Sequence, residues 1–320
     1  MNILFTSGGR RVALIRAFQE SARRLGLESR IFVADAKDTA PALRLDGVTP
    51  LDVPHVTSRD YIPRLVSICQ KNHIRLLVPL IDPELRVLAS ARQQLAEVGT
   101  FVLVSSPESV AIGEDKRNTA EFFLRNGFPT PRVFWDARQA AEAGRFPLIV
   151  KPARGSSSVG VHCVRDRREL EFFSSYVADS MVQEYITGVE YTMDVLAGMD
   201  GRALCCVPRR RIETRAGEVS KGLTVRHPGL IELCTAVVEK MPGAVGCITI
   251  QAFVDAAGGI KLIEINPRFG GGYPLSYEAG ADYPRAILRM LRNEPAEPIQ
   301  WNDNVLMLRY DEAIFVKGGQ

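Results

Sequence analysis

The order of strands and helices in the first 105 residues limits this chain to a few folds. Apolar strand patterns at residues 2–6, 30–34, 76–81 and 101–104 are separated by segments in which apolar residues recur at helical spacing. Strands and helices that alternate in this way form a parallel sheet with right-handed crossovers. We therefore predict a doubly wound α/β domain, and we expect ligands to bind beyond the carboxyl ends of its strands.

Five residues fall at those predicted carboxyl ends: Gly8, Gly9, Asp35, Asp82 and Glu84. The first glycine turn lacks the GxGxxG spacing of a dinucleotide site, which argues against that class of ligand. The three carboxylates are suited to hold an amino group. We therefore expect them to border the substrate pocket, with an amino acid as one candidate substrate.

Composition and charge exclude several classes of protein. The 320 residues carry 40 basic and 37 acidic side chains, a balance that argues against nucleic acid or a membrane surface as partner. No apolar run reaches the length of about 18 residues that a membrane span requires, and the N-terminus does not resemble a signal peptide. The six cysteines form no CxxC pair, so we expect reduced thiols in a cytoplasmic protein rather than a zinc site.

From residue 106 the pattern changes to an α+β arrangement, with helical segments at 109–126 and 230–240. Short strand patterns separated by glycine turns lie at residues 146–151, 159–164, 181–186, 191–196, 203–207, 247–254 and 260–266. The last two strands predict a hairpin. With residues 256–259 as its loop, Gln251 lies directly opposite Glu264 and shares its face.

The predicted hairpin brings three oxygen-bearing side chains together. Asn266 lies two residues beyond Glu264 and therefore points to the same side, where Gln251 also lies. Oxygen ligands of this kind suit Mg²⁺. Arg268 follows with a guanidinium group that fits phosphate or carboxylate. Exposure of these polar residues to solvent is the alternative, but Glu264 has apolar neighbours, and an unpaired buried carboxylate is costly.

A second group of residues surrounds Lys151, which ends a predicted strand. A loop rich in glycine and serine follows it and contains Ser156, Ser157 and Ser158. The loop is not a P-loop, because GxxxxGK[ST] is absent. Backbone N–H groups, hydroxyls and a lysine are suited to enclose phosphates, and a surface hairpin is the alternative.

The segment after residue 183 has features of a nucleoside pocket. Glu184, Tyr185 and Ile186 begin a chain reversal in which an apolar pocket and exposed backbone groups are suited to hold adenine. Glu190, on the next strand, is placed to accept hydrogen bonds from ribose hydroxyls. An amphipathic strand with a solvated polar face is an equally good interpretation of this segment by itself.

The strongest basic run comprises Arg209, Arg210 and Arg211, with Arg215 and Lys221 nearby. Acidic residues lie between these charges and aromatic residues are missing, so an anion site for phosphate or a substrate acid fits better than nucleic acid. A solvated strand end is the alternative for at least two of the charges.

In this order, these elements resemble an ATP-grasp enzyme. The resemblance covers nearly the whole chain and is strongest to the modules of the carbamoyl-phosphate synthase large subunit and their stand-alone relatives. The matching segments are an entry helix at 111–116, a lysine strand at 146–152, a phosphate loop at 154–160, an adenine hinge at 183–194 and metal strands with Gln251 and 263–268.

The resemblance implies a fold of three parts. An N-terminal doubly wound domain (1–105) precedes a lid subdomain (106–186) and a C-terminal subdomain with the metal site (187–320). ATP and Mg²⁺ are the implied cofactors, with Mn²⁺ as a substitute for the metal.

The resemblance also assigns roles to individual residues. The nucleotide-binding set is Lys116, Lys151, Ser156, Ser157, Ser158, Glu184, Tyr185, Ile186, Glu190 and Lys221. The metal ligands are Gln251, Glu264 and Asn266, and the catalytic residues are Arg268, Lys151 and Arg211.

The activity that this resemblance implies is phosphorylation of a carboxylate to an acylphosphate, followed by transfer to an amine or another nucleophile. A homodimer is common among similar proteins. Two departures argue against carbamoyl phosphate as the product: the chain has one module, and residues 269–274 read FGGGYP rather than a serine-rich continuation. The alternatives are a nucleotide-binding regulatory or assembly module, and an enzyme that hands an acylphosphate to a partner.

Overall fold

The computed structural model describes residues 1–155 and 159–317, and the strands within these ranges form three sheets. The first sheet is parallel, in the order β3-β2-β1-β4-β5. Its strands are β1 (Asn2–Thr6), β2 (Ile31–Asp35), β3 (Val48–Asp52), β4 (Ile74–Pro79) and β5 (Phe101–Val102). The helices of this part are α1 (Val12–Arg24), α2 (Tyr61–Lys71), α3 (Asp82–Ser90) and α4 (Arg92–Glu97).

Strand β3 is an addition to the four strands predicted from the sequence. It pairs with β2 at the edge of the sheet, and its residues are exposed or half-buried. An edge strand buries little apolar surface and tolerates a residue such as Pro50. It therefore lacks the apolar run by which the other strands were predicted.

Two helices follow, α5 (Pro107–Glu114) and α6 (Lys116–Arg125), and the single helix predicted over 109–126 is wrong. The chain breaks at Asp115, whose backbone is extended and whose carboxylate accepts a hydrogen bond from the Arg117 amide at 2.9 Å. Asp115 thus caps the N-terminus of α6, which satisfies one of the free N–H groups there.

The second sheet has the order β6-β9-β7-β8 and is antiparallel. Its strands are β6 (Val133–Phe134), β7 (Leu148–Pro152), β8 (His162–Val164) and β9 (Ser180–Glu184), with helices α7 (Ala137–Ala143) and α8 (Arg167–Tyr176). A small core that includes Phe134, Val150 and Leu170 lies between sheet and helices. We call this unit the lid sheet.

The third sheet has six strands in the order β14-β13-β10-β11-β12-β15, and we call it the large sheet. Its strands are β10 (Val189–Ala197), β11 (Ala203–Arg215), β12 (Glu218–Thr224), β13 (Gly246–Val254), β14 (Ile260–Asn266) and β15 (Leu306–Leu308). Helices α9 (Pro228–Lys240), α10 (Tyr273–Glu278) and α11 (Tyr283–Met290) complete this part. One face of the sheet is apolar and buries Met193, Ile248 and Ile265 against α9.

The segment 106–128 of the predicted lid packs on the large sheet instead. Phe122 and Phe123 of α6 belong to the core under α9. Gly113 of α5 lies so close to β14 that an added Cβ would be 2.8 Å from the Ile265 carbonyl oxygen. We therefore propose a lid that begins at Pro129.

The N-terminal domain is joined to the large sheet through a shared apolar core. Phe18 of α1 makes an edge contact with Phe269, and Phe269 with Tyr273 at the start of α10. Helices α10 and α11 both contact α1. This core fixes the β1–α1 turn beside the polar face of the large sheet. Within the described residues, no helix is long and apolar enough to cross a membrane.

A buried ion pair lies where these parts meet. Arg209 on β11 donates from Nε and Nη2 to the Asp194 carboxylate on β10, at 2.7 and 3.0 Å, and both side chains are fully buried. Ser276 of α10 donates to the same carboxylate at 2.6 Å. Tyr283 of α11 donates to the Asp194 carbonyl oxygen at 2.7 Å. The pair therefore connects the large sheet to the helices that hold the N-terminal domain.

We expect Asp194→Ala to lower the free energy of unfolding by about 3–5 kcal/mol, because it leaves the Arg209 guanidinium buried and unpaired. Chemical denaturation measures the change. A matched control is Glu213→Ala, which removes the exposed Lys221–Glu213 pair and is worth at most about 1 kcal/mol. Equal effects of the two substitutions would contradict the importance of the buried pair.

Candidate functional site

The β13–β14 hairpin places Gln251 directly opposite Glu264, as predicted, but by a different register. The loop is one residue longer than assumed, since Val254 rather than Asp255 pairs with Ile260. A bulge beside Gln251 adds one residue on β14 and compensates for this shift. The predicted pairing is confirmed, whereas the loop assumed in deriving it is wrong.

The pairing of β10, β13 and β14 arranges polar side chains in rows across the large sheet. One row contains Thr192, Gln251 and Glu264, and the next contains Asp194, Thr249 and Asn266. Paired residues share a face, so these side chains lie opposite the apolar core. Among the described residues, no hydrogen bond or ion pair is recorded for the Gln251 amide or the Glu264 carboxylate. Their oxygens are available to a ligand.

Two clefts meet at this polar face. The lid cleft, of about 210 Å³, lies between the lid sheet and the large sheet and is lined by Lys151, Glu184 and Glu190. The central cleft, of about 400 Å³, lies between the large sheet and the N-terminal domain and is lined by Asp82, Arg211 and Arg268. Gln251 and Glu264 line both clefts.

Lys151 points from β7 into the lid cleft and is almost fully buried. Its ammonium donates to the Gln183 side-chain oxygen at 2.7 Å. Burial lowers the pKa of Lys151 to about 8, an effect that Lys116 increases and the Glu264 carboxylate opposes. The Lys116 ammonium donates to the Gly155 carbonyl oxygen at 2.6 Å, at the start of the serine loop. Two lysines thus converge on one side of the lid cleft.

The predicted adenine segment follows the end of β9, which pairs with the Lys151 strand β7, and Glu184, Tyr185 and Ile186 line the lid cleft. The Glu184 carboxylate accepts a hydrogen bond from the Arg132 amide at 3.0 Å, which fixes the end of β9. Among the described residues, no hydrogen bond is recorded for the Ile186 backbone N–H. The segment therefore offers a free backbone donor beside apolar surface.

Glu190 lines the lid cleft and forms an ion pair with Arg211, which lines the central cleft. The Arg211 Nη1 lies 3.4 Å from a Glu190 carboxylate oxygen. Burial raises the pKa of Glu190, with Arg211 lowering it and the Glu264 charge raising it further. The buried Nε of Arg211 has no hydrogen-bond partner among the described residues. A buried N–H without a partner is uncommon in proteins, which marks Arg211 as a candidate ligand-binding residue.

Arg268 is held at the mouth of the central cleft. Its Nη2 donates to Asp82 at 2.6 Å and to the Asn266 side-chain oxygen at 3.3 Å, and Nη1 donates to the Phe269 carbonyl oxygen at 3.2 Å. Its buried Nε, like that of Arg211, has no partner within the described ranges. The two guanidinium groups therefore combine fixed positions with unused donors.

Three predictions are not supported by the positions observed. Lys221 donates to the exposed Glu213 carboxylate at 2.7 Å and lies outside the residues that line the two clefts, so we leave it out of the site. Asp35 accepts from the Gly9 and Lys37 amides. Glu84 is fully buried and accepts from Thr6, Ser7 and Tyr61. These two acids stabilise the loops of the N-terminal domain, whereas Asp82 does border the central cleft.

The alternative of a solvated strand end for at least two of the basic residues is confirmed, since Arg210 and Arg215 are exposed, whereas Arg209 is fully buried. Position 209 shares the polar face with Asp194, and only the strand pairing reveals this. Ser156, Ser157 and Ser158 lie outside the described residues.

Sequence reasoning missed Arg11 and Glu218, which line the central cleft. The Arg11 Nη1 lies 3.5 Å from a Glu218 carboxylate oxygen. A signal for Arg11 was present, since it follows the glycine turn at the carboxyl end of β1, where ligands bind in such sheets. Glu218 begins β12, which carries no strong strand pattern.

Two protein-family models match the chain, and they agree with the domains described above. A model of the ATP-grasp domain matches residues 113–272, half of the chain. The chain belongs to the ATP-grasp family. A second model, described as the PylC-like N-terminal domain, matches residues 3–103. The predicted ATP-grasp fold with a preceding parallel-sheet domain is confirmed.

Curated relatives of this ATP-grasp protein are ligases. The D-alanine–D-alanine ligase of Stutzerimonas stutzeri is 28% identical over 211 residues, which cover 57% of this chain and 65% of that protein. The 3-methyl-D-ornithine–L-lysine ligase of Methanosarcina mazei is 27% identical over 187 residues, which cover 57% of this chain and 46% of that protein. The D-alanine–D-alanine ligase of Pseudomonas putida is 29% identical over 310 residues, covering 89% and 93%. The chain thus spans less than two thirds of the first two relatives.

Solved structures share the fold. A biotin carboxylase from Campylobacter jejuni, in a βγ-ATP complex, has a TM-score of 0.75 at 17% identity, covering 94% of this chain and 73% of that chain. An L-amino acid ligase from Bacillus licheniformis has a TM-score of 0.70 at 20% identity, covering 91% and 74%. At these identities the likeness concerns the fold alone.

We expect Gln183→Leu to destabilise the protein by about 1–3 kcal/mol, because the buried Lys151 ammonium loses its hydrogen-bond partner. Thermal and urea denaturation measure the change. Gln93→Leu, at an exposed position of α4, is the control and is expected to have little effect. If Lys151→Met is introduced together with Gln183→Leu, most of the lost stability should return, since no buried charge then remains.

Proposed function

We propose that this protein is an ATP- and Mg²⁺-dependent ligase that phosphorylates a carboxylate and transfers the acyl group to an amine or another nucleophile, with release of ADP and phosphate. The observation that carries the proposal is that Gln251 and Glu264 line both clefts. A nucleotide in the lid cleft and an acid in the central cleft then meet at one set of oxygen ligands. The ligase names of the relatives support this activity.

The lid cleft takes ATP. Its apolar wall at Tyr185 and Ile186 holds the adenine, with the free Ile186 N–H as a donor to the base. Glu190 accepts from the ribose. Lys116 and Lys151 neutralise the phosphates, with Ser156, Ser157 and Ser158 as further donors proposed from the sequence alone.

The donor set on the large sheet fits a magnesium ion. Gln251, Glu264 and Asn266 are three oxygen-bearing side chains on neighbouring strands, one of them a carboxylate, and the Asn266 oxygen also accepts a hydrogen bond from Arg268 at 3.3 Å. Mg²⁺ is commonly bound by few protein oxygens and completes its shell with phosphate and water. When bound, the ion supplies positive charge next to the phosphates; Mn²⁺ is suited to the same ligands.

Positioning and charge account for the chemistry that the chain itself contributes. Arg268 and Arg211 both line the central cleft, where they hold the reacting carboxylate and the transferred phosphoryl group. Lys151 balances the charge that develops toward the leaving ADP. An amine then attacks the acyl carbon and phosphate leaves. We propose Arg268, Arg211 and Lys151 as the catalytic residues.

The substrate acid is proposed to be small, with an amino acid as a candidate, because the relatives are named for amino acid substrates. We further propose a cytoplasmic location, on the ground of six free cysteines, four of them buried. The homodimer stays a prediction.

The decisive experiment measures Mg²⁺-dependent ADP release with a panel of amino acids and carboxylic acids, each with and without amine acceptors. Stimulation by an acid, with a ligated product detected by mass spectrometry, is the expected result. Tight binding of MgATP without any turnover would favour a regulatory module instead. An acylphosphate trapped by hydroxylamine, without ligation, would indicate transfer to a partner.

Glu264→Ala is expected to reduce acid-stimulated ADP release by at least about 100-fold, because it removes the one carboxylate of the metal set. Circular dichroism checks that the fold is retained. Glu232→Ala, which removes an exposed carboxylate on α9, is the control and should retain full activity. Undiminished turnover in Glu264→Ala would rule out the metal assignment.

Nucleotide affinity should depend on pH through Lys151. Its pKa of about 8 means that the free protein loses this positive charge above pH 8, whereas bound phosphates favour the protonated form. Binding then takes up a proton, and the dissociation constant of MgATP rises on the order of tenfold between pH 7 and pH 9. Calorimetry measures this rise, and Lys151→Met should abolish it; a rise that persists in Lys151→Met would assign it to another group.

A further inference from the structure

The central cleft continues into a third cleft on the side of the N-terminal domain. This outer cleft, of about 490 Å³, is lined by the β1–α1 turn and by the chain around residues 309–314. Arg11 and Glu218 line both the central and the outer cleft, whereas Gln251, Glu264 and Asn266 line the central cleft and not the outer one. Arg11 therefore lies where the central cleft meets the outer cleft, on the side away from the proposed metal ligands.

The backbone of Arg11 is fixed by a hydrogen bond, whereas its guanidinium group makes one long ion-pair contact. It immediately precedes α1, and its amide donates to the Gly8 carbonyl oxygen at 2.9 Å. Its side chain is 19% exposed and has one ion-pair contact, at 3.5 Å from Glu218. Among the described residues, no hydrogen bond from the Arg11 guanidinium is recorded.

Gly271 and Gly272, which follow Arg268 in the chain, leave space for the guanidinium groups of Arg11 and Arg209. A Cβ on Gly271 would lie 2.7 Å from the Arg11 Nη1 and 2.8 Å from the Glu218 carboxylate. A Cβ on Gly272 would overlap the Arg209 Nη1. A larger residue at position 271 would displace Arg11 from the cleft, so the glycine loop preserves the position of its charge.

The charges around Arg11 do not balance within the described residues. Arg11, Arg268 and Arg309 lie near two acids, Asp82 and Glu218. Asp82 accepts from Arg268 at 2.6 Å, and Glu218 accepts from Arg309 at 3.1 Å. Burial lowers the pKa of Arg11, and Arg268 and Arg309 lower it further. Among these five groups one positive charge is left over, and the Glu264 carboxylate of the same cleft belongs to the proposed metal set.

We infer that Arg11 binds a second carboxylate of the substrate, so that the acid used by this enzyme is a small dicarboxylic acid, including the acidic amino acids. The inference rests on the proposed ligase function. The reacting carboxylate lies by Arg268 and Arg211, and the second one reaches Arg11 across the central cleft. One surplus positive charge matches a carboxylate better than a phosphate, which carries nearly two negative charges at neutral pH. The fork of N–H donors on Arg11 suits a carboxylate in two-point contact.

The test compares diacids with their monoamides, which differ in one charge and are almost identical in shape. Calorimetry on the MgADP-loaded protein measures binding of succinate, glutarate, aspartate and glutamate against succinamate, glutaramate, asparagine and glutamine. We expect at least one acid to bind about 100-fold more tightly than its amide, the size typical of a buried charge pair. Acid-stimulated ADP release should show the same preference in kcat/KM.

Variants of Arg11 connect the preference to this residue. Arg11→Met should bind acid and amide equally, and Arg11→Lys should retain part of the preference. Arg23→Met removes an exposed charge from the other end of α1 and should behave as the unchanged protein. Thermal denaturation confirms folding, and the ratio between acid and amide is a readout that general destabilisation does not change.

The outcomes separate this inference from the proposed function. If no diacid binds, if acid and amide bind equally in the unchanged protein, or if Arg11→Met keeps the preference, the second-carboxylate subsite is overturned. ADP release driven by monocarboxylates alone would overturn the subsite and leave the ligase function in place. An Arg11-dependent preference in binding without cleavage of ATP would support the subsite and overturn the ligase function.

Discussion

The buried pair of Arg209 and Asp194 is the interaction on which the arrangement of this site depends. It ties β10 to β11 at the centre of the large sheet, and through Ser276 and Tyr283 it also fixes α10 and α11. Those helices contact α1, and α1 starts at the turn that carries Arg11. The pair has to be fully hydrogen-bonded, since a charge buried without its partner is costly. One interaction thus orients both walls of the central cleft.

The cationic groups of the site are of two kinds. Arg209 is fully paired and serves the structure, whereas Arg11, Arg211 and Arg268 each retain unused donors or incomplete charge pairing. Buried polar groups in proteins are generally hydrogen-bonded, so the unused donors indicate groups that a ligand supplies. Arg211 and Arg268 line the central cleft together with Gln251 and Glu264, and Arg11 lines the side that the central cleft shares with the outer cleft. This distribution favours a substrate with negative charge at two ends.

Much of the fold follows from local pattern. The parallel strands β1, β2 and β4, the hairpin of β13 and β14, and α9 have apolar periodicity strong enough to be predicted. Strands β3, β6, β12 and β15 were not predicted, because edge positions and polar faces leave little apolar signal. The break at Asp115 was missed because a capping residue inside a helical pattern resembles an ordinary exposed position. The Gln251–Glu264 pairing was predicted correctly only because a bulge offset an error in the loop length.

The sequence alone determined the residue types that the proposed chemistry requires: Lys151 at a strand end, Glu264 and Asn266 two residues apart, and Arg268 after them. These follow from strand periodicity, which is a local property of the backbone. Tertiary structure alone decided that Arg209 is buried, that Lys221 and Glu84 do not line the lid or central cleft, and that Arg11 lines the central cleft. Each of these depends on which segment the fold places opposite the side chain, whether it is close in sequence, as for Lys221 and Glu213, or in another domain, as for Arg11 and Glu218. A strand or helix pattern does not show that pairing.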